Sequence, residues 1–337
     1  MGHIIIADDG LVFDGLTPER GPLGGAETAV VELAGALAAR GHRVQVFTRC
    51  TAPLTHRGVE WLPLAGGLPG HCDLYIANRS YGLIGAVRQA RQVFWTHNPC
   101  QYMLKPRYLY RLFYTRPTVV FVGDYHAATY PAWAPSGRRV VIPLAVQEPF
   151  LRESLRQPPP PRAVFTSNPQ RGLDWLLDRW QAEIHPQVPE AELHLYCGAA
   201  VYGGHGAAAM QAVLNRARGL HGAGVVLHAP VPKADLIPVL RDSRVLLYRG
   251  DLNETYCLAV AEAQALGVPA VVQPLGSMPE RVIDGETGFV AADDAAFSAR
   301  AVDVLRDNTL WSAQHAQALT RQRGWRWDDV AAAFEGL

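Results

Sequence analysis

Two successive series of short apolar runs, alternating with helix-period stretches, lie on either side of four consecutive prolines at residues 158–161. In the first series residues 4–7, 44–47, 74–77, 93–96 and 119–122 read as buried strands. In the second, residues 163–166, 192–196, 225–227, 245–248 and 270–272 do. Helical periodicity falls between most of them, at 26–40, 173–180, 207–217, 236–242 and 257–266. Strands that alternate with helices form parallel βα units, because a parallel connection needs a crossover long enough to hold a helix. The first helix is the clearest: Val30, Leu33 and Leu37 recur at spacings of three and four, and Gly41 stands where a left-handed end is expected. The prolines can extend neither a helix nor a central strand, so the domain boundary belongs there. The expected fold class is α/β, with two Rossmann-like doubly wound domains facing across a cleft: a first over 1–155, a second over 156–320, and a terminal segment at 321–337.

Composition narrows the function classes. Lys plus Arg and Asp plus Glu both number 31, so no net field draws the chain to nucleic acid. Its apolar runs fall well short of the ~20 residues of a membrane span. The opening, MGHIIIADDG, reads as a first strand and lacks the basic segment and cleavage site of a secretory leader. Five cysteines are scattered without a C-x-x-C pair, which suggests reduced thiols and a cytoplasmic protein.

Residues 250–270, GDLNETYCLAVAEAQALGVPA, are the most informative segment. They leave a strand and enter a helix that Gly267 and Pro269 end. The backbone N–H groups near Tyr256, Cys257 and Leu258 lack partners within that helix and sit at the positive end of its dipole. A diphosphate is stabilised there with no metal required. Glu262 lies about five residues further on, about 7–8 Å along the axis, which roughly matches the reach from a nucleotide's diphosphate to its ribose. Its carboxylate can accept from two neighbouring hydroxyls. Glu254, eight residues before Glu262, stands at the mouth of the helix and would face a sugar beyond the phosphates. The bland alternative makes Glu254 a helix-start acid and Glu262 a solvated face.

This segment resembles the E-x7-E motif of the retaining glycosyltransferases of family 4, which have the GT-B fold. The family's stretch reads approximately E-x-F-G-L-x-x-x-E-A-M-A-x-G-x-P. Tyr256 stands at its phenylalanine and Cys257 at its glycine, so the Cys257 side chain must find room beside the phosphates. Residues 225–247 resemble the strand, loop and helix that hold the nucleotide base, with the loop 229–232, Val231 included, near that base. Residues 276–288, GSMPERVIDGETG, resemble a further stretch of the family that reads as structural. Residues 167–177, SNPQRGLDWLL, occupy the place of the family's G-R-x-x-x-x-K-G segment. Arg171 matches the lysine that grips the donor phosphates, the segment's arginine is missing, and Arg249 is a candidate to compensate. In the first half Gly24, Gly25 and Glu27 match a G-G-x-E loop, where paired glycines let backbone approach a ligand. His97 takes the place of a histidine beside the donor sugar. Residues 325–334 resemble the closing helix that crosses back to the first domain.

The resemblance implies retaining transfer of a sugar from a nucleotide-diphosphate sugar (UDP- or GDP-linked) to a glycan, lipid-linked or small-molecule acceptor. The first domain would bind the acceptor and the second the donor. Glu254, His97 and Arg171 would carry the chemistry. Gly24, Gly25, Arg171, Val231, Tyr256, Cys257, Leu258 and Glu262 would hold the donor. Neither a metal nor another cofactor is expected: Asp8 and Asp9 have no partners at ligand spacing. The competing readings are another GT-B enzyme, such as a nucleotide-sugar epimerase, and a non-catalytic nucleotide-sugar binder. Residues 101–116, QYMLKPRYLYRLFYTR, interleave five aromatics with four basic residues. They fit either a helix packing its aromatics into the core or a peripheral contact with the inner face of a membrane.

Overall fold

The computed structural model describes residues 1–198 and 207–337. The chain divides into two compact units, Met1–Ala145 with Trp325–Leu337, and Val146–Gly324. Each is a doubly wound α/β unit.

The first unit runs through β1 (His3–Ala7), α1 (Thr17–Arg20), α2 (Gly25–Ala39), β2 (Arg43–Thr48), β3 (Leu54–His56) and β4 (Val59–Pro63). It continues with β5 (His71–Asn78), β6 (Gln89–Trp95), α3 (Pro106–Thr115), β7 (Thr118–Phe121), α4 (Asp124–Ala128) and β8 (Arg139–Val141). Its strands form one sheet in the order β3-β4-β2-β1-β5-β6-β7-β8, parallel except where β3 meets β4. Ile5, Ile6 and Ala7 of β1 are fully enclosed, as a parallel strand covered on both faces must be. α2 ends as its sequence requires. The His42 N–H bonds the Leu37 carbonyl and the Gly41 N–H bonds that of Ala38, with Gly41 at φ 89°. Between β1 and β5 the strand order reverses. In an open α/β sheet that reversal leaves a crevice at the carboxyl ends of the strands, the usual place for a ligand.

The second unit runs through β9 (Arg162–Phe165), α5 (Leu173–Arg179), β10 (Glu192–Tyr196), α6 (Ala207–Gly219), β11 (Val225–His228), α7 (Lys233–Arg241) and β12 (Val245–Leu247). After these come α8 (Leu258–Ala265), β13 (Ala270–Val272), α9 (Met278–Arg281), β14 (Gly288–Val290), α10 (Asp294–Arg306) and α11 (Asn308–Arg321). Its six strands are parallel, in the order β11-β10-β9-β12-β13-β14. Trp180, Trp311, Phe165, Tyr248 and Phe297 are fully buried and fill the space between sheet and helices. The proline run lies inside this unit and leads into β9. There Arg244 donates to the Pro159 carbonyl and the Glu192 N–H to that of Pro161.

The closing helix α12 (Trp327–Glu335) belongs to the first unit. Phe334 packs edge-on against Trp95, their ring centres 5.2 Å apart. Arg40, just past α2, forks onto both carboxylate oxygens of Glu335 at 2.6 and 2.9 Å. The Trp325 indole donates to the Pro143 carbonyl at 3.0 Å. β8 ends at Val141, and Pro143, with no N–H, cannot continue the ladder.

Candidate active site

In the second unit, the carboxyl ends of β9 and β12 carry two loops that converge on one carboxylate. β12 delivers Tyr248, which is buried and donates its hydroxyl to Glu254 Oε2 at 2.6 Å. Burial, with the Glu254 charge beside it, holds the Tyr248 hydroxyl well above its ordinary range, so it remains a donor. The loop after β9 delivers Arg171, whose Nη1 donates to the same Oε2 at 2.5 Å. Arg171 directly precedes the start of α5, where the dipole disfavours a cation; Glu254 supplies the compensating charge. Glu254 itself sits on a turn closed by its N–H to the Asp251 carbonyl, and its own carbonyl accepts from Ser277. Gly276, at φ 61°, is required beneath that turn. A Cβ there would lie 2.3 Å from the Asp251 carbonyl oxygen and 2.6 Å from that of Glu254. The stretch read from sequence as structural thus shapes the support of Glu254.

α8 begins immediately after Cys257, which adopts the left-handed conformation at φ 65° and ψ 80°. This is where the family pattern has glycine, and the departure costs on the order of 1–2 kcal/mol for a residue with a Cβ. The thiol is buried, which raises its pKa well above the ordinary thiol range, and it receives the Val260 N–H. Room for the side chain is therefore found by turning it onto the helix. Leu258 and Ala259 remain as the first-turn N–H groups available to an anion. Tyr256 is buried with the Arg281 guanidinium 4.2 Å over its ring.

Glu262 lies in the second turn of α8 and is 1% exposed, which excludes a solvated face. Its Oε2 meets Lys233 Nζ at 2.5 Å. Lys233 opens α7, two residues beyond the half-buried Val231. The two glutamates that the sequence singles out therefore each hold a cation from a different helix start of the same unit. Arg249, the candidate to replace the missing phosphate ligand, has two partners in this unit. Its guanidinium lies 5.2 Å from the Trp175 ring centre and its Nε donates to Gln273 at 3.1 Å.

Gly24, Gly25 and His97 belong to the first unit. Gly24 caps α2, and a Cβ there would fall 2.4 Å from Glu27 Oε2. Glu27 is buried and bonded to Arg79 at 2.8 Å; the same Arg79 nitrogen reaches Asp8 at 2.7 Å. Asp8 also accepts from Asn78 Nδ2 and the Gly10 N–H. This network gathers at the β1–β5 crevice. It gives Asp8 a structural set of partners, and among the described residues no group of three or more His, Cys, Asp or Glu could hold a metal. His97, two residues past β6, packs against Trp95 with ring centres 4.5 Å apart. Burial, then the charges of Arg79 and His126, lower its pKa well below the ordinary histidine value, so it is neutral at pH 7.

Residues 101–116 divide between the two alternatives. Tyr108 is buried, and Tyr102 lies half-buried beneath it with its hydroxyl 2.7 Å from Thr96 Oγ1. On the outer face of α3, Tyr110, Phe113 and Tyr114 are 66%, 58% and 70% exposed. No helix among the described residues is long and apolar enough to cross a membrane.

Three residues of these networks left no motif in the sequence: Tyr248 and Lys233 in the second unit and Arg79 in the first. For Lys233 a signal existed, a cation at a helix start, the same electrostatic mismatch that marks Arg171.

Residues 160–307 match the family model described as glycosyl transferases group 1, and residues 23–147 match glycosyltransferase family 4. Over 106 residues the chain is 35% identical to the D-inositol 3-phosphate glycosyltransferase of Streptomyces avermitilis, covering 31% of this chain and 23% of that protein. The enzyme of the same name from Corynebacterium diphtheriae is 31% identical over 110 residues, or 32% and 26% of the two chains. The matched stretch is thus about a quarter of the length of these relatives. Among solved structures, sucrose-phosphate synthase of Thermosynechococcus elongatus superposes with a TM-score of 0.77 at 16% identity, covering 100% of this chain and 98% of that one. HepE of Anabaena, determined with UDP and glucose, superposes with a TM-score of 0.73 at 14% identity, covering 100% and 99%. Two doubly wound units with these neighbours define the GT-B fold. Within that fold the two family-model matches support a glycosyltransferase of the family 4 type.

Proposed function

We propose that the protein transfers a sugar, with retention at the anomeric carbon, from a nucleotide-diphosphate sugar to a hydroxyl of a carbohydrate or lipid-linked acceptor. The observation that carries this reading is the paired arrangement around α8, Arg171 on Glu254 and Lys233 on buried Glu262. Its two carboxylates bracket a helix start that offers N–H groups to a diphosphate. Glu254 Oε2 already accepts from Arg171 and Tyr248. A carboxylate has about four lone-pair sites, so Oε1 can accept from a hydroxyl of the donor sugar. Arg171 makes one of its five possible hydrogen bonds to Glu254, and the others can turn to phosphate.

In this scheme the bond from the anomeric carbon to the diphosphate breaks while the acceptor oxygen bonds to the same face of the sugar. The departing phosphate oxygen takes the acceptor's proton. Arg171 and the Leu258 and Ala259 N–H groups stabilise the charge that develops on the leaving group, in place of a divalent ion. Glu254 and neutral His97 orient the sugar, and Glu262 holds the ribose. The D-inositol 3-phosphate glycosyltransferase relatives and the HepE complex with UDP and glucose support a nucleotide-sugar donor and a hydroxylated acceptor.

Thermal unfolding in EDTA with UDP, GDP and ADP sugars tests the donor site. One sugar nucleotide at 100 times its Kd should stabilise the protein by about 2.7 kcal/mol, which is a rise of several degrees in Tm. No shift with any of them contradicts the reading. We also propose that α3 rests on an anionic membrane surface. Its exposed aromatics are bordered by Lys105, Arg107 and Arg116, and no acidic residue occurs from Gln101 to Gly123. At low salt the protein should sediment with phosphatidylserine vesicles, and the triple change of Tyr110, Phe113 and Tyr114 to serine should release it. Failure of the unaltered protein to sediment removes this part of the proposal.

A further inference from the structure

We infer that Lys233 is a positioning residue for the nucleotide's pentose, acting through Glu262. The inference rests on the donor reading above but concerns a residue outside the segment that prompted it. Three observations meet at this point. Lys233 is the first residue of α7, where the helix dipole repels a cation, so its side chain needs a compensating charge nearby. Its ammonium lies 2.5 Å from Glu262 Oε2, and its side chain is 23% exposed against 1% for Glu262. Removing one partner of a buried ion pair leaves the other charge uncompensated, so the two side chains hold each other in place. Finally, α7 begins directly after the loop 229–232, whereas Glu262 sits on α8.

A lysine at this place does two things for a pentose site. It sets a positive charge on Oε2, the countercharge that a carboxylate 1% exposed lacks once the pair is broken. It also fixes the rotamer: with the ammonium on Oε2, the remaining lone pairs point in one set of directions toward a vicinal diol. Because the ammonium comes from the element after the loop 229–232, that loop and the pentose grip share one anchor.

The test is calorimetric binding of UDP, GDP and ADP beside their 2′,3′-dideoxy forms, for the unaltered protein, Lys233→Met, Lys233→Arg and Glu262→Gln. The unaltered protein is expected to prefer the ribose form of its nucleotide by at least about tenfold, which is about 1.4 kcal/mol. Lys233→Met should lose that preference by weakening only the ribose form, with the dideoxy form bound within about twofold of before. Lys233→Arg should restore most of it, and Glu262→Gln should resemble Lys233→Met. If Lys233→Met does not fold, Lys233→Gln, which keeps a hydrogen-bond donor without the charge, takes its place in the comparison. Equal weakening of ribose and dideoxy forms would show that Lys233 contacts phosphate or base, or supports the fold generally, and would overturn the inference. So would a Lys233→Met protein with undiminished ribose preference. An unaltered protein that binds both forms equally would overturn the pentose role of Glu262 itself, a separate and recognisable failure.

Discussion

Replacing Glu254 with glutamine is expected to lower the rate of sugar transfer by about two to three orders of magnitude while leaving nucleoside diphosphate binding no weaker than before. The first half follows from electrostatics in a buried site: removing one preorganised group that acts on the reacting sugar typically costs about 10²–10³ in kcat. The second half follows from the ion pair. Without ligand, Arg171 is held by Glu254 at 2.5 Å, so an incoming diphosphate shares the guanidinium with that carboxylate. A neutral amide lets go of Arg171 more readily and retains a hydrogen bond to Tyr248. Single-turnover rates measured beside diphosphate affinity separate the two halves. Transfer that survives the substitution within about threefold removes Glu254 from the chemistry. A parallel loss of diphosphate affinity would make it a binding residue instead.

Arg171→Met should act the opposite way on binding. A charge-assisted contact to phosphate is worth about 1.5–3 kcal/mol, so affinity for the nucleoside diphosphate should fall by about 10- to 150-fold. The transfer rate should fall as well, since the leaving group loses a stabilising charge. The substitution also strands Glu254, which is 8% exposed. Breaking a buried pair by removing one partner costs about 3–5 kcal/mol of stability, so a lower Tm is part of the expectation. Arg171→Lys, which keeps the charge but gives up the fork, should recover only part of the binding. Because both residues belong to one network, the double variant should lose less than the sum of the single losses. Unchanged diphosphate affinity in Arg171→Met would place the phosphates away from this residue.

How much of this was legible before the structure depends on how local the signal is. The central strands of both sheets and the helices α2 and α8 declare themselves through period and end signals, because consecutive residues carry them. β3 and β4, three and five residues long at the sheet edge, carry too little alternation to be read. For α10 and α11 the signal is thinner, a recurrence of Phe297, Val304 and Trp311 on their buried faces. Arg79 reaches Asp8 across 71 positions and Glu27 across 52, and such pairs leave no periodic trace. Cys257 shows the limit from the other side. Its departure from the glycine of the family pattern was visible, whereas only the coordinates show that a residue with a Cβ accepts φ 65° there and turns its sulfur to the Val260 N–H. Arg249 was legible in part for the same reason. Its charge was evident and its partners, Trp175 and Gln273, were not.

The place where a sugar nucleotide binds is decisive. A crystal soaked with the donor that most raises the Tm should place the β-phosphate within hydrogen-bond reach of Arg171 and of the Leu258 and Ala259 N–H groups, and the ribose hydroxyls on Glu262. Density for that ligand at another place, or a ribose turned away from Glu262, contradicts it.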